Sequence, residues 1–449
     1  MPGLSETLRR KYVSVGIFGI GKSNLSVIEY LKKFNPSARF TLRSDTAIEQ
    51  DVDFSPERIL SGEDALVNIS EDILFLSPSV NRLRSEIVKA KKRGVIISSD
   101  AELFFETVDV APICITGSDG KSTTTHLIAK ALTLSGVPSV PCGNYGRGLC
   151  SLIDESTFPV IELSSFQLNY MKPRSSYALI TNITPNHLNW HSSLEEYVEA
   201  KVNITCNTQK LIFDTDGDIV SSRLKDICAF SKTSLTKSYE ALKAIGGAEN
   251  YVTYNDGIIY VNGSAFIDVA TARRKEDYNL RNFLLTASAC MERCDEKSIS
   301  EAIITFGGLN HRAEEFFEHD GIKFVDSSID SSPERTLKTL TALNERPVVI
   351  IGGMGKGLSL VTLAEQLPRL TRGAVLLGEV GNELAKMLSQ KSYTFAIASS
   401  MSEAVGLAYN FAKPMGTVIL SPAATSYDSY KNFSQRGKDF KKCVLSLFE

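Results

Sequence analysis

Short apolar runs alternate with amphipathic segments along nearly the whole chain. In the first hundred residues, strands are predicted at residues 12–18, 39–42, 73–76 and 94–98. The segments between them repeat apolar residues at the three-to-four-residue spacing of a helix, as in residues 24–34. Strands that alternate with helices are typical of a parallel, doubly wound sheet. The first block is therefore predicted to be an α/β domain.

The same alternation continues in two further blocks. In the central block, strands are predicted at residues 110–115, 159–163 and 178–183, and a helix at residues 277–294. Residues 208–269 are less regular, with short β-like runs around an Asn255-Asp256-Gly257 turn signal. In the last block, strands are predicted at residues 323–325, 348–351, 373–377, 393–397 and 417–420. The predicted fold is therefore α/β in three domains, with boundaries near residues 106 and 309.

Composition and charge narrow the classes of partner. Of 449 residues, 43% are hydrophobic and 22% are charged, and the formal net charge is −3. This balance gives no electrostatic reason to expect nucleic acid or an anionic membrane. No apolar run approaches the roughly 20 residues that a membrane span needs. The eight cysteines form no C-x-x-C pair, so we expect reduced thiols in a cytoplasmic protein, with Cys290 and Cys294 on one helix face.

The strongest chemical signal is the sequence of residues 115–123, Ile-Thr-Gly-Ser-Asp-Gly-Lys-Ser-Thr, between a predicted strand and a predicted helix. Its glycines let backbone N–H groups approach phosphates, Lys121 supplies a positive charge, and Ser122 can offer a hydroxyl to Mg²⁺. The first glycine of the general P-loop spacing falls on Ile115, and a chance match in a loop is the alternative. The strand and helix on either side favour a site for ATP or a close relative.

Further polar residues follow the predicted strands of the central block, where ligands bind in open α/β sheets. Glu162 comes where a metal ligand is expected beside a P-loop. His187, one of five histidines, follows the next strand. Lys201 lies on a predicted helix. From the helix sequence alone, we expect this lysine to be exposed to solvent.

A glycine turn also follows the first predicted strand, at Gly16, Gly19 and Gly21. Its spacing differs from the dinucleotide fingerprint G-x-G-x-x-G. A phosphate at the helix start and a tight turn without a ligand both remain open readings of this segment.

Several motifs occur in one order along the chain. They are residues 116–123, the Gly-Asn-Tyr-Gly of residues 143–146, the Glu-Leu-Ser-Ser-Phe-Gln of residues 162–167 and the Asn-Ile-Thr-Pro-Asn-His-Leu of residues 182–188. Together they resemble the Mur ligases, the ATP-dependent amino-acid ligases of peptidoglycan precursor synthesis. The C-terminal runs 420–428 and 431–440 resemble the D-glutamate-adding branch of that family. The resemblance implies a Rossmann-like N-terminal domain for a UDP-sugar (1–106), a central P-loop ATPase-type domain (107–309) and a Rossmann-like C-terminal domain for the amino acid (310–449).

The resemblance also implies a reaction. It is the ATP- and Mg²⁺-dependent addition of D-glutamate to UDP-N-acetylmuramoyl-L-alanine through an acyl phosphate. Such an enzyme acts on small molecules as a cytoplasmic monomer, without nucleic acid or membrane. Three alternatives remain: a Mur-type ligase with another amino acid or donor, a folylpolyglutamate-synthase-like ligase, and a non-catalytic nucleotide-binding relative.

Individual residues acquire roles from the same resemblance. The implied catalytic residues are Lys121, His187, Lys201 and Lys356. The implied ATP contacts are Gly117, Ser118, Asp119, Gly120, Lys121, Ser122, Thr123, Asn279, Asn282, Arg312 and Asp326. The implied Mg²⁺ ligands are Ser122, Glu162, His187 and Lys201, the last as a lysine carbamylated by CO₂. The implied donor contacts are Gly19, Gly21, Lys22, Ser23, Asn144 and Ser164. The implied amino-acid contacts are Ser331, Lys356, Ser426 and Phe433.

Four segments depart from the family pattern. The usual aspartate-containing loop after the second strand is represented only by residues 43–46, Arg-Ser-Asp-Thr. Tyr278 stands where a histidine usually precedes the Asn-x-x-Asn motif. Residues 77–80 read Ser-Pro-Ser-Val in place of Ser-Pro-Gly-Ile. Residues 326–333 lack the family's lysine. Two registers that differ by one residue are open in this segment, so either Asp326 or Ser327 takes the position of the acid that contacts the nucleotide. These departures concern the donor and the acceptor more than the reaction class.

Overall fold

The computed structural model describes residues 3–46, 48, 54–185, 190–224, 226–343, 345–355, 358–426, 430 and 432–449. These residues divide into two compact units, Met1–Phe306 and Gly307–Glu449. Within the described ranges the strands form three sheets, two in the first unit and one in the second. The predicted α/β fold is confirmed.

The first sheet is parallel throughout, in the order β3-β2-β1-β4-β5. Its strands are β1 (Ser14–Phe18), β2 (Arg39–Ser44), β3 (Arg58–Ser61), β4 (Ile73–Leu76) and β5 (Ile96–Ser98). The helices of this region are α1 (Leu4–Leu8), α2 (Lys22–Phe34), α3 (Ser85–Lys92) and α4 (Asp100–Thr107). Because α4 runs to residue 107 and both sheets lie in one compact unit, the domain boundary at 106/107 stays a prediction.

The second sheet has the order β14-β13-β12-β11-β10-β9-β6-β8-β7. Its strands are β6 (Ile113–Thr116), β7 (Ser139–Gly143), β8 (Phe158–Glu162), β9 (Arg174–Ile180), β10 (Asn207–Asp214), β11 (Ala229–Ser234), β12 (Ala248–Asn255), β13 (Ile258–Val261) and β14 (Ser264–Asp268). Its helices are α5 (Lys121–Leu134), α6 (Ser165–Leu168), α7 (Leu194–Val202), α8 (Asp218–Arg223), α9 (Tyr239–Ile245), α10 (Asp277–Cys290) and α11 (Glu296–Ile304). The seven strands β6 to β12 pair in parallel with one another. At one end of the sheet, β13 pairs antiparallel with β12, and β14 pairs antiparallel with β13.

Two expectations for this region need correction, and a third is confirmed. Residues 208–269 are not irregular, because most of them belong to β10–β14, α8 and α9; the polar first half of β10 hides its strand pattern. The predicted turn itself is confirmed, since Asn255 pairs with Ile258 and Asp256 and Gly257 have positive φ values of 47° and 84°. Helix α10 ends at Cys290, so Cys290 and Cys294 do not share a helix face.

The third sheet, in the second unit, has the order β15-β16-β20-β17-β18-β19. Its strands are β15 (Glu314–His319), β16 (Ile322–Asp326), β17 (Val348–Gly352), β18 (Gly373–Leu377), β19 (Phe395–Ile397) and β20 (Gly416–Leu420). Its helices are α12 (Pro333–Ala342), α13 (Val361–Leu370), α14 (Gly378–Leu388), α15 (Met401–Ala412) and α16 (Phe433–Ser446). The antiparallel edge strand β15 was not predicted, because its six residues contain three glutamates and only two apolar residues.

Buried apolar strands form the centre of each sheet. All four residues of β6 are buried, as are all four of β4 and all five of β17. Among the described residues, no helix combines the length and the apolar character needed to cross a membrane. The parallel strands point their carboxyl ends to one edge of each sheet, and the candidate residues follow those ends.

Candidate active site

The loop between β6 and α5 is built around two glycines. Gly117 has a φ of +149° and Gly120 a φ of +79°. A Cβ at Gly117 would lie 1.8 Å from Thr181 Oγ1, and one at Gly120 would lie 2.2 Å from Asn282 Oδ1. Side chains are therefore excluded at both positions by backbone conformation and by space. The loop follows a buried strand and begins a helix, which is the arrangement of a phosphate site.

Residues of the neighbouring strand and helix brace this loop. The backbone N–H groups of Ser118 and Asp119 donate to Asn182 Oδ1 at 3.1 and 2.9 Å. The Ser118 hydroxyl is hydrogen-bonded to the Tyr197 hydroxyl at 2.7 Å, and Thr181 Oγ1 donates to the Asp119 carbonyl. Asn182, Tyr197 and Thr181 were not among the predicted site residues. Asn182 lies inside one of the family motifs, which was the only signal for it.

Lys121 lies over the loop from the first turn of α5. Its Nζ donates to the carbonyl oxygens of Gly117 and Ser118, at 2.9 and 2.8 Å. The ammonium group is thus held where phosphates would approach, and Thr123 follows in the same turn of the helix. The predicted phosphate contact and the glycine loop are together in the structure.

A buried carboxylate lies beside the start of α5. Glu162, the last residue of β8, is 1% exposed. Its Oε2 accepts a hydrogen bond from Ser122 Oγ at 2.7 Å, and its Oε1 accepts one from Asn144 Nδ2 at 2.7 Å. A buried carboxylate and a hydroxyl at a P-loop form a donor set suited to Mg²⁺.

Lys201 is buried, which contradicts the surface position that its pattern indicated. It is 2% exposed, and its Nζ donates to the Gly117 carbonyl at 2.6 Å, the same oxygen that Lys121 contacts. Burial, and secondarily the charge of Lys121, lower the pKa of Lys201 well below its usual value. Ser193 begins α7 by accepting a hydrogen bond from the Glu196 N–H, which fixes the helix that carries Lys201.

Two predicted catalytic residues cannot be placed. His187 and Lys356 lie outside the described residues, and their roles stay predictions. The chain after His187 is described from Trp190, whose Nε1 donates to the Ser79 carbonyl at 3.1 Å. The next residue, His191, is hydrogen-bonded through Nε2 to Ser165 Oγ at 3.0 Å.

Most of the predicted donor residues lie at the first turn of α2 or contact it. Gly19 has a φ of +84°, and Lys22 Nζ donates to the Asn144 carbonyl at 3.2 Å. Asn144 therefore links Lys22 to Glu162. Gly21 precedes α2 and Ser23 is its second residue, whereas Ser164 caps α6 in a capping box with Gln167.

The two asparagines of α10 face different partners. Asn279 Nδ2 donates to Glu276 Oε2 at 2.8 Å. Asn282 Oδ1 accepts a hydrogen bond from Thr124 Oγ1 at 3.2 Å and closely approaches Gly120. Asn282 thus packs on the P-loop, and both asparagines are 3% exposed.

In the second unit, Asp326 ends β16 and is fully buried. Its Oδ2 lies 2.7 Å from His311 Nδ1, and His311 Nε2 lies 2.9 Å from Ser434 Oγ. Lys441 Nζ lies 3.8 Å from the same carboxylate. Asp326 is therefore held by a histidine and helix α16 within its own unit. Arg312 follows His311, and its N–H donates to the Leu309 carbonyl.

Arg436 joins the segments that follow β16 and β20. Its Nη2 donates to the carbonyl oxygens of Ser328 and Ala424, and its Nη1 donates to that of Thr425, all at 2.9–3.0 Å. It is 2% exposed. This arginine was absent from the predicted site, although it lies in the C-terminal motif. Three predicted amino-acid contacts lie in this unit: Ser331 just before α12, Ser426 after β20, and Phe433 at the first position of α16.

The chain is similar to known proteins along nearly its whole length. The Mur ligase middle domain family matches residues 115–290. A UDP-N-acetylmuramoylalanine–D-glutamate ligase of Acetivibrio thermocellus is 33% identical over 97% of both chains, and one of Clostridium botulinum is 34% identical over 97% of both. The chain belongs to the Mur ligase family. The solved UDP-N-acetylmuramate–alanine ligase of Thermotoga maritima has the same fold, with a TM-score of 0.60, 18% identity and coverage of 96% of this chain and 99% of that one.

This Mur ligase has its own arrangement where its sequence departs from the family. Asp330 is 4% exposed and accepts a hydrogen bond from Ser421 Oγ at 2.8 Å. Burial raises the pKa of Asp330. Ser327 Oγ accepts a hydrogen bond from the Ala313 N–H at 3.2 Å. In this Mur ligase the segment after β16 is therefore tied to β20 and to the chain that precedes β15.

Proposed function

We propose that this Mur ligase joins D-glutamate to UDP-N-acetylmuramoyl-L-alanine at the expense of ATP, in peptidoglycan precursor synthesis. The choice of donor and amino acid rests on the similarity to relatives of that name over 97% of both chains. The reaction class rests on one local observation. The buried side chains of Glu162 and Lys201 both contact the P-loop at Gly117–Ser122. A protein that only binds a nucleotide would need the phosphate contacts of the loop and neither of these two groups.

The chemistry is the activation of a carboxylate. A carboxylate is a poor acylating agent because its leaving group would be oxide. The donor carboxylate therefore attacks the γ-phosphorus of ATP, the bond to the β,γ-bridging oxygen breaks, and an acyl phosphate and ADP result. The neutral amine of D-glutamate then attacks the acyl carbon to form the N–C bond of a tetrahedral intermediate. The intermediate collapses as its C–O bond to phosphate breaks, phosphate takes the bonding electrons, and the nitrogen releases one proton to phosphate or solvent.

The chain's own residues supply position and charge. Lys121 neutralises charge between two anionic reactants, and the backbone N–H groups at the start of α5 hold the phosphates. Lys22 and Asn144 orient the donor beside Glu162. No covalent enzyme nucleophile is needed, since binding the reactants together supplies the proximity that the reaction requires.

The donor set around Glu162 fits Mg²⁺. Glu162 is a buried carboxylate whose two oxygens already accept hydrogen bonds from Ser122 and Asn144. Ser122 and Glu162 would hold one ion, and His187 and a carbamylated Lys201 the second. When bound, Mg²⁺ supplies positive charge to the phosphates and to the developing transition state. Asn279, Asn282, Arg312 and Asp326 are proposed as further nucleotide contacts, and Ser331, Lys356, Ser426 and Phe433 as amino-acid contacts.

We also propose that the enzyme acts as a cytoplasmic monomer. The eight cysteines are unpaired, which fits a reducing compartment. Sedimentation at assay concentration tests the monomer.

Phosphate release should require ATP, Mg²⁺, UDP-N-acetylmuramoyl-L-alanine and D-glutamate together. A coupled phosphate assay tests this with each component omitted in turn and with a panel of D- and L-amino acids. Equal phosphate release without D-glutamate, or a preference for a diamino acid, would contradict the proposal. Mass spectrometry of the product identifies the amino acid that was added.

Gly120→Ala should weaken ATP binding by about tenfold or more, because the new Cβ meets Asn282 and forces a residue with a side chain into a left-handed conformation. Titration with a non-hydrolysable ATP analogue measures the change. Gly217→Ala is the matched control, since a Cβ at Gly217 meets no atom within 4 Å. Unchanged affinity in Gly120→Ala would show that the loop does not hold the nucleotide.

A further inference from the structure

Helix α10 carries an arginine that reaches away from the P-loop. Arg281 lies between Asn279 and Asn282 in the sequence. Its Nη1 lies 2.5 Å from Asp216 Oδ2 and 3.3 Å from Asp214 Oδ1. The side chains of Asp214 and Asp216 are 3% and 5% exposed, and that of Arg281 is 30% exposed. The first turns of α10 are thus joined to the carboxyl end of β10 by a largely buried ion pair.

Asp216 is a rigid partner for this arginine. Its Oδ1 accepts hydrogen bonds from Thr236 Oγ1 at 2.8 Å, from Lys237 Nζ at 3.2 Å and from the Ser234 hydroxyl. Its Oδ2 also accepts the Leu235 N–H at 2.9 Å. Burial opposes the charge, but the hydrogen bonds from Ser234 and Thr236 outweigh it and hold the pKa of Asp216 at about 2. The carboxylate therefore stays charged and fixed under every assay condition near neutral pH.

The same turn of α10 is attached to the P-loop on its other side. Asn282 accepts a hydrogen bond from Thr124 on α5 and lies against Gly120. The sheet order places β10, which precedes Asp216, two strands away from β6, which precedes the P-loop. Helix α10 therefore begins at the carboxyl edge of the sheet, where Arg281 contacts the chain at the end of β10 and Asn282 contacts the P-loop.

We propose that Arg281 is a positioning residue for the nucleotide, and that its ion pair with Asp216 sets the place of the first turns of α10 against the P-loop. When the pair is absent, Asp216 keeps its other partners, and the first turns of α10 lose their attachment to the carboxyl end of β10. The contact between Asn282 and Gly120 then has less support, and the loop that holds the phosphates is less well defined. The inference rests on the proposed ATP site and is independent of the donor and the amino acid.

Nucleotide affinity of the full chain, measured without donor or amino acid, tests the proposal. Arg281→Gln should raise the dissociation constant of a non-hydrolysable ATP analogue with Mg²⁺ by about tenfold, as a part-buried pair loses one partner. Arg281→Lys should recover part of this loss, because an ammonium can still reach one carboxylate. In the assay the KM for ATP should rise while the KM for the donor stays unchanged.

The chain offers a matched control at the other end of the same helix. Lys210 on β10 pairs with Glu292, just after α10 ends. Lys210→Gln removes that attachment and should leave nucleotide affinity unchanged. Equal losses in Arg281→Gln and Lys210→Gln would overturn the proposal in favour of general loosening of α10, and so would unchanged affinity in a folded Arg281→Gln.

The two proposals can fail separately. A wild-type chain that binds the ATP analogue but releases no phosphate with D-glutamate would contradict the proposed function, while the affinity comparison would still decide the role of Arg281. Circular dichroism of each variant confirms that it is folded at the assay temperature. A double variant Arg281→Gln with Asp216→Asn should bind no more weakly than Arg281→Gln alone, if the pair acts as a unit.

Discussion

Lys121→Ala is expected to lower turnover by about three orders of magnitude, because the substitution removes a principal contact to the phosphates of ATP. In the structure the Lys121 ammonium is held by the carbonyl oxygens of Gly117 and Ser118 at the start of α5. A phosphate in the loop would meet this charge directly. Alanine leaves the backbone cradle in place and removes the only long cationic side chain of that turn.

Rates of phosphate release at saturating substrates measure the effect. Lys130→Ala is the control, because Lys130 lies on the same helix and its Nζ donates to Thr305 Oγ1 at 2.7 Å, away from the loop. It should keep wild-type turnover. Near-normal turnover of Lys121→Ala would mean that the lysine only stabilises the loop. In that case the unfolding temperature of the variant protein would fall while its turnover stayed near that of the wild type.

The sheets and the P-loop were predictable because their signals are local. Strands such as β6 and β17 are continuous apolar runs, and the helices that follow them show their own spacing. The glycine loop at Gly117 and Gly120 is likewise predicted by a short motif, because the lysine, the serine and the flanking strand and helix all lie within a few residues of it. The α/β fold and the central phosphate loop could therefore be predicted without any long-range information.

The bracing of the loop could not be predicted in the same way. Asn182 and Tyr197 contact Ser118 from 64 and 79 positions along the chain. Arg281 and Asp216 are 65 positions apart. Hydrogen bonds at such separations depend on which strands become neighbours in the sheet, and hydrophobic periodicity does not carry that information.

Two strands were missed for a different reason. Strand β15 consists mostly of polar residues because one of its sides has no neighbouring strand, and β10, although it lies inside its sheet, has a polar first half that is only partly buried. Alternation of apolar and polar residues fades in such strands, since only part of the strand contacts the core. The pattern therefore gave no strand for β15 and only a less regular region, with short β-like runs, where β10 forms.

Lys201 shows the limit of a helix pattern most clearly. Its sequence context indicated a solvated lysine, yet its Nζ is buried against the Gly117 carbonyl and lies 4.6 Å from the centre of the Tyr197 ring. Burial first, and the Lys121 charge second, lower the pKa of Lys201. Because the pKa is lowered, the neutral amine is favoured at a pH where an exposed lysine is charged.

A neutral buried amine beside a phosphate loop is expected to react with CO₂. The amine nitrogen forms a bond to the carbon of CO₂ and releases one proton, which gives a carbamate. This group carries a negative charge and oxygen atoms, so that it can support Mg²⁺ where an ammonium would repel it. Lowering the pH through the pKa of Lys201 would protonate the amine and remove the carbamate.

We therefore expect activity to fall when CO₂ and bicarbonate are stripped from the buffer and to return when bicarbonate is added. Lys201→Ala should lose about two or more orders of magnitude in turnover, as expected for a group that supports a catalytic metal ion. Short carboxylic acids should restore part of that loss, because they supply the missing carboxylate-like group. Lys172→Ala, which changes an exposed lysine, should keep wild-type activity and bicarbonate dependence. Full activity of Lys201→Ala, or an unmodified Lys201 in an active crystal at high resolution, would contradict the carbamate.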